Sequence, residues 1–405
     1  MTIPDSLDLQ FKPREWQSQA LELWAPTMRG IVSVVTGGGK TAFAFFCIIE
    51  FLKRHPDGKV LVIVPTSALL DQWYVGLQED LSLPASTIAC YSGAEKPKRS
   101  QTVNILIINT ARELASEVAR DTPTFLIVDE CHRAGSPINA RALRGEHHAS
   151  LGLSATPNRG FDTGFDDILV PALGPIIFEY GYEQAYADGV ISPFSLINVG
   201  IRLLPSERAE YEKYSRRIAV EIGRSKGDIR HNEKLKRLLL LRASVASTAA
   251  MRVPVAAKLV DMNLGQRSLV FHERVDAATA IFNILKKRNH SVTIYHSSIP
   301  PAVRRENLRL YRRGVFDVLV TCRALDEGFN VPETQVAVVA SSTASSRQRI
   351  QRLGRVLRPS PGKEEAKIYT IYATQLEQER LLREASALAE VSSVTWMRSF
   401  KQDYG

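Results

Sequence analysis

Thr36-Gly37-Gly38-Gly39-Lys40-Thr41 follows the apolar run Ile31-Val32-Ser33-Val34-Val35. The pattern predicts a buried strand, a glycine turn, and a helix from Ala42 to about Lys53. Glycines let backbone N–H groups converge on phosphate oxygens that side chains would keep away. The helix N-terminus adds its positive dipole end. Lys40 can reach the outer phosphates of a triphosphate, and the Thr41 hydroxyl can ligate Mg²⁺. Val34 occupies the first glycine position of the general G-x-x-x-x-G-K-[ST] pattern, so the rest of the site has to come from elsewhere in the chain.

A second apolar run, Phe125-Leu126-Ile127-Val128, ends in Asp129-Glu130-Cys131-His132. Carboxylates at a strand's C-terminal edge face the crevice where open α/β sheets bind ligands. Asp129 is placed to hold Mg²⁺, and Glu130 to polarise the water that attacks a γ-phosphate. Upstream, Arg14-Glu15-Trp16-Gln17 precedes a helical run, and Gln17 offers the donor and acceptor that match an adenine edge. Ser154-Ala155-Thr156-Pro157 ends another strand with small hydroxyls able to link the carboxylates to a nucleic-acid strand. In Gln351-Arg352-Leu353-Gly354-Arg355-Val356-Leu357-Arg358, arginines three apart share one helical face. Aimed at a γ-phosphate, such guanidinium groups act as arginine fingers, worth about 10³–10⁵ in rate where they operate. The loop Thr321 to Pro332 carries a hydroxyl, the acidic Asp326-Glu327 and Gly328 at the end of a further strand, and suits contact with ribose and backbone phosphate.

The elements that position these residues alternate. Strands are predicted at 31–35, 60–64, 103–108, 124–128 and 150–154, and again at 268–271, 291–295, 318–320, 336–340 and 367–372, with helical patterns between them. That rhythm implies two tandem α/β domains, each a mostly parallel sheet with helices on both faces. The expected domains are 1–204, a basic helical connecting segment at 205–257, and 258–405. The connecting segment carries Arg216-Arg217, Lys234, Lys236 and Arg237 before Leu238-Leu239-Leu240-Leu241. It reads as packing on the second domain with some phosphate contact.

Charge is unevenly placed. The net charge is +9, yet residues 1–200 hold 16 basic against 22 acidic side chains, and residues 201–405 hold 36 against 21. A basic half points to a polyanionic partner, most simply nucleic acid. The four cysteines lack a C-x-x-C pair, which argues against a zinc site or a disulfide framework and suits a reducing cytoplasm. His147-His148 is an isolated pair without metal-ligand spacing. No leader peptide is read at the N-terminus, and no apolar run reaches bilayer length.

In order and spacing these segments resemble those of the superfamily 2 helicase-type ATPases, built on a RecA-like tandem. Asp129-Glu130-Cys131-His132 matches the DExH branch. Arg14-x-Trp16-Gln17, the run Gln351 to Pro359 and the Glu207…Tyr211 helix are most similar to the XPB/RadD-type group and to restriction-enzyme motors. The resemblance implies a P-loop NTPase architecture using ATP and Mg²⁺. It puts Arg14 and Gln17 at adenine, and Thr36, Gly37, Gly38, Gly39, Lys40 and Thr41 on the phosphates and metal. It makes Asp129 and Glu130 the metal and water pair, and gives His132, Ser154, Thr156, Gln351 and Arg352 to coupling. Pro65, Thr66, Thr110, Arg112 and Thr321 would touch the nucleic-acid backbone, Glu327 and Gly328 the ribose, and Arg355 and Arg358 would be the fingers. Asn330 departs from the family's usual Asp.

The implied activity is ATP-dependent movement along nucleic acid, DNA rather than RNA by branch, with little base specificity and no membrane. The alternatives are a non-unwinding duplex translocase or annealing motor, or the motor subunit of a nuclease or defence complex with an accessory protein. No accessory domain is read beside the two motor domains, which weighs toward translocation over strand separation.

Overall fold

The computed structural model describes residues 9, 11–35, 37–118, 120, 122–158, 163–190, 194–224, 232–322, 334–341, 366–388 and 392–397. The chain divides into two compact units, the first built mainly from Met1–Ile191 and the second from most of the remainder.

The first unit is one parallel sheet. Its strands are β1 (Arg29–Val34), β2 (Lys59–Val64), β3 (Ile88–Tyr91), β4 (Val103–Ile107), β5 (Thr124–Asp129), β6 (Ala149–Ser154) and β7 (Ile176–Tyr180). Their order is β3-β4-β2-β5-β6-β1-β7, and every recorded pairing is parallel. The central strands are apolar runs because both faces are covered. Along β2, Val60, Val62 and Val64 point into one core with Trp24, Phe43, Phe51 and Phe125. Leu61 and Ile63 point into the other, with Leu126, Val128 and Leu169. That alternation is the period of two that a pleated strand imposes.

Helices α1 (Glu15–Trp24), α2 (Lys40–Arg54), α3 (Ser67–Glu79) and α4 (Ile108–Val118) fill the crossovers between β1 and β5 or precede β1, and the short α5 (Val170–Leu173) and α6 (Tyr182–Ala187) flank β7. Helix α2 begins two residues earlier than its apolar pattern indicates, because Gly39 in the left-handed region serves as its N-cap. It buries Phe43, Cys47, Ile48, Phe51 and Leu52, a helical stripe. It ends on Lys53 and Arg54, cations that suit the negative end of the dipole.

The second unit repeats the architecture. Its strands are β8 (Phe194–Gly200), β9 (Ser268–Phe271), β10 (Val292–Tyr295), β11 (Val318–Thr321), β12 (Val336–Val339), β13 (Ala366–Tyr372) and β14 (Ser392–Met397). They lie in the order β10-β11-β9-β12-β13-β8-β14, again parallel. The stretch 1–204 expected as the first domain therefore includes β8, which pairs with β13 and β14 of the second sheet.

Within the expected connecting segment, α7 (Pro205–Arg224) and α8 (Glu233–Ser247) pack through a small core of Ile218, Leu235 and Leu238. Arg216, Arg217, Lys234, Lys236 and Arg237 stay exposed. Contrary to the reading that no apolar run reaches bilayer length, Glu233–Asp261 passes that test by length and composition. Here it is folded as α8 followed by α9 (Arg252–Asp261), and α9 buries Val255, Leu259 and Val260 against the second sheet.

Candidate active site

The site assembles at the C-terminal ends of β1, β5 and β6. The backbone after β1 turns through Gly37 at φ 83° and Gly39 at φ 105°, a region L side chains rarely adopt. Gly38 is required for space, since a Cβ there would lie 2.7 Å from a Val34 methyl and 3.0 Å from the Val35 carbonyl oxygen. Val34 itself ends β1 as a fully buried core residue, so the missing first glycine leaves the turn intact.

Helix α1 holds this turn from outside. Trp16 Nε1 donates to the Gly38 carbonyl at 3.2 Å, and Gln17 Nε2 donates to the Gly39 carbonyl at 3.0 Å. Gln17 Oε1 accepts the Arg14 backbone N–H at 2.8 Å, which closes the helix N-terminus. The Trp16 ring stacks on Tyr180 with centroids 5.2 Å apart, and Tyr180 donates to Asp188 at 2.7 Å. Arg14 is half-buried, one of its guanidinium nitrogens has no partner among the described residues, and burial lowers its pKa.

Lys40 opens α2. Its ammonium donates to the Val34 carbonyl at 3.3 Å and lies 3.9 Å from Glu130 Oε1. Asp129, the last residue of β5, is buried. Its Oδ1 accepts the Glu130 N–H at 2.9 Å, and its Oδ2 accepts the Trp73 indole N–H at 2.8 Å. Burial, and then the neighbouring Glu130 charge, push the Asp129 carboxyl up to about 6, against the pull of Lys40 and the Trp73 bond. Glu130 itself takes φ 49°, a left-handed conformation that costs a non-glycine residue about 1–3 kcal/mol. That turn carries the chain away from the strand and aims the Glu130 carboxylate back at Lys40.

From Glu130 the polar array continues. His132 Nδ1 lies 3.4 Å from Glu130 Oε2 and 2.9 Å from Ser154 Oγ, and Ser154 Oγ accepts the Thr156 N–H at 3.1 Å. Lys40, Asp129, Glu130, His132, Ser154 and Thr156 therefore form one connected cluster. Thr41 follows Lys40 in the first turn of α2. A buried carboxylate plus a threonine hydroxyl are hard oxygen donors, which fits Mg²⁺ completed by phosphate oxygens and water.

Other expected contacts are placed separately. Pro65 follows β2, and the Thr66 hydroxyl caps α3 by accepting the Leu69 N–H at 3.3 Å. Thr110 lies in the first turn of α4. The Arg112 guanidinium forks onto Asn139 Oδ1, with Nε at 2.9 Å, and Asn139 in turn donates to the Arg133 carbonyl at 2.7 Å. Thr321 ends β11 in the second unit, with a buried hydroxyl that has no partner among the described residues. Thr36, Glu327, Gly328, Asn330, Gln351, Arg352, Arg355 and Arg358 lie outside the described residues.

Two tryptophans enter the site that the sequence reading did not assign to it. Trp16 sits inside the Arg14-x-x-Gln17 segment, so its neighbours could have flagged it. Trp73 meets Asp129 across 56 residues of chain, and its only local cue is a lone Trp on an amphipathic helix.

Comparison with known proteins agrees with this arrangement. Residues 10–159 match the family described as "Type III restriction enzyme, res subunit", and residues 252–360 match "Helicase conserved C-terminal domain". The chain is 26% identical to the "DNA 3'-5' translocase XPB2" of Sulfurisphaera tokodaii, over 88% of this chain and 80% of that one. It is 29% identical to the "Putative DNA 3'-5' helicase Rad25" of Haloarcula marismortui, over 87% of this chain but only 52% of that one. Among solved structures it superposes on S. cerevisiae Dbp5 bound to RNA and ADP BeF3 with a TM-score of 0.63 at 15% identity, covering 96% of this chain and 90% of that one. It superposes on the Pyrococcus furiosus Hef helicase domain with a TM-score of 0.52 at 17% identity, covering 92% and 98%. These likenesses carry the fold of two RecA-like sheets.

Proposed function

We propose that this chain, similar to the XPB-type relatives over most of its length, is a superfamily 2 helicase-type ATPase that couples ATP hydrolysis to movement along DNA. The observation that carries this reading is the cluster at the ends of β1, β5 and β6. There a glycine turn with two left-handed residues faces a lysine, a buried aspartate and a strained glutamate.

In this reading the backbone of Gly37–Gly39 and the Lys40 ammonium take the triphosphate, with charge neutralised from the N-terminus of α2. Thr41 and Asp129 would hold Mg²⁺, which when bound screens the phosphate charge. Glu130 orients the attacking water and accepts its proton. Its contact with His132 passes the change at the γ-phosphate to Ser154 and Thr156. Arg355 and Arg358 stabilise the transferring phosphoryl charge as fingers. Gln17, now bound to the Gly39 carbonyl, reads adenine while bracing the turn.

DNA is gripped through its backbone. Pro65, Thr66, Thr110, Arg112 and Thr321 contribute, and the exposed arginines and lysines of α7 and α8 add electrostatic hold. Such binding carries little base specificity and weakens steeply with salt. Translocation without strand separation is a second reading. It is favoured by the Sulfurisphaera relative, whose name is that of a translocase and 80% of whose length is matched.

The test is ATP turnover of the full chain with single-stranded DNA, duplex DNA, forked DNA and RNA in parallel, beside duplex-unwinding and triplex-displacement assays. Stimulation by DNA is expected, and stimulation by RNA alone would reverse the substrate assignment. Displacement of a third strand without unwinding selects the translocase reading, and unwinding of a fork selects the helicase.

A further inference from the structure

We propose that Trp73 is a positioning residue of the ATP site, fixing through its indole N–H the orientation in which Asp129 meets the metal. The inference rests on the reading of Asp129 as the metal carboxylate and extends it to a residue on a different element.

Three observations carry it. The Trp73 indole N–H donates to Asp129 Oδ2 at 2.8 Å, and both side chains are buried, so no bulk water competes for the bond. The other oxygen, Oδ1, already takes the Glu130 backbone N–H at 2.9 Å. Two donors on two different oxygens fix the rotation of the carboxylate plane. Each carboxylate oxygen has two lone-pair sites, so one on each remains directed elsewhere. Lastly, the ring is held independently, edge-on to Phe45 with centroids 5.6 Å apart at 87°. The donor is therefore rigid before the acceptor arrives.

The plain alternative is a core tryptophan that has merely satisfied its N–H. Trp24 shows what that looks like. Its indole is equally buried and donates to the Ser150 backbone carbonyl at 3.0 Å, with no functional side chain involved. Trp73 instead spends its donor on the side chain that ends β5. Phenylalanine would fill most of the same volume without supplying the donor. Partners that orient a metal ligand in this way typically matter about 10- to 100-fold in metal affinity or activity.

The experiment uses the full chain labelled with ¹⁵N at its four tryptophans, so that each indole N–H gives one signal. The Trp73 signal is assigned by its loss in Trp73→Phe, and the Trp24 signal by its loss in Trp24→Phe. Without nucleotide, Asp129→Asn is expected to shift the Trp73 signal strongly and leave the Trp24 signal in place. In turnover, Trp73→Phe is expected to raise the Mg²⁺ concentration for half-maximal rate and lower kcat by about 10- to 100-fold, with KM for ATP changed less than about twofold. Trp24→Phe, the same chemical change away from the site, is expected to keep the wild-type Mg²⁺ dependence.

A Trp73 signal that ignores Asp129→Asn overturns the proposal whatever the turnover shows. So does a Trp73→Phe enzyme with wild-type Mg²⁺ dependence, or one whose loss is matched by Trp24→Phe. If the wild-type chain hydrolyses no ATP, the ATPase reading fails, and the indole signal still decides whether Trp73 holds Asp129.

Discussion

The two units repeat one sheet topology and differ in what stands at the C-terminal edge of each sheet. Matched by position in the strand order, β1 corresponds to β8 and β5 to β12. In the first unit β1 runs into Gly37-Gly38-Gly39-Lys40 and β5 ends on Asp129-Glu130. In the second, β8 runs into Ile201-Arg202-Leu203-Leu204 and β12 into Ala340-Ser341. Among the described residues, no glycine turn and no carboxylate pair follows either strand.

A buried arginine occupies the second edge instead. Arg252, fully buried at the start of α9, donates to the carbonyls of Ala340 at 2.8 Å and Ile371 at 2.7 Å. It also donates to the Ala246 carbonyl at 2.8 Å and pairs with Glu377 at 2.6 Å. It thus ties the ends of β12 and β13 to α8 and to the helix Gln375–Leu388. One edge leaves a lysine beside two carboxylates for a ligand to use. The other saturates its cation with three protein carbonyls and a carboxylate. The lesson is that the fold supplies the edge, and the residues placed on it decide between chemistry and structure.

Four outcomes would break or sharpen this contrast. The largest is expected at Lys40. Lys40→Ala should reduce ATP turnover by about 10²–10³-fold or more, the scale of losing a donor aimed at developing charge. Thermal unfolding should change little, and turnover near wild type would remove Lys40 from the chemistry. Next comes Arg252→Ala, which removes the cation from Glu377 Oε1 and the donor from three carbonyls. Breaking a buried pair this way costs about 3–5 kcal/mol. Urea titration should show the loss in the second unit, while the first still binds a fluorescent ATP analogue. An unchanged urea midpoint would mean the arginine is not structural.

His132→Ala comes third. It cuts the link from Glu130 to Ser154 and should lower DNA-stimulated turnover toward the DNA-free rate, by about tenfold or less for one hydrogen-bonded contact. Equal loss with and without DNA would assign His132 to hydrolysis instead of coupling.

The smallest effect is a divergence with pH. Burial raises Asp129 from 3.8 to about 6, so the native state binds the extra proton in that window. The first unit's stability, without nucleotide, should therefore gain as pH falls from 6 toward 4. In the second unit, burial first and then Arg252 lower His272 from 6.5 to about 4. Its unfolded state binds the proton in that window, so stability present above pH 6.5 is lost as pH falls toward 4. Hydrogen exchange at pH 7 and pH 5 should show opposite trends at β5 and β9. His272→Gln should flatten the trend at β9, and parallel trends in the two strands would contradict both assignments.

Much of the fold was legible because buried parallel strands read as apolar runs. β1, β2, β4, β5 and β6 and β9 to β13 all fall on predicted segments. Four strands escaped. β3 is an edge strand whose Ile88-Ala89-Cys90-Tyr91 mixes small and aromatic residues. β7 is a half-buried edge strand with Glu179 in it. β14 is an edge strand that begins Ser392-Ser393. β8 interleaves Ser195 and Asn198 with its apolar residues. Edge and mixed positions need no continuous hydrophobic run, so composition leaves them unmarked. At the site, residue type and spacing marked Lys40, Asp129 and Glu130, and the family resemblance added His132 and Ser154. They could not mark Trp73, whose partner lies 56 residues along the chain, or the fork from Arg112 to Asn139. Long-range side-chain pairs leave no periodic trace in the chain.

The central claim is that the first unit's edge hydrolyses ATP with Glu130 acting on the water. Its most direct measurement is phosphate release by the wild-type chain and Glu130→Gln, each with saturating DNA, beside nucleotide binding by both. The account predicts DNA-stimulated release by the wild type, and tight ATP binding with release reduced about 10²-fold or more in Glu130→Gln. Wild-type release from Glu130→Gln would contradict it.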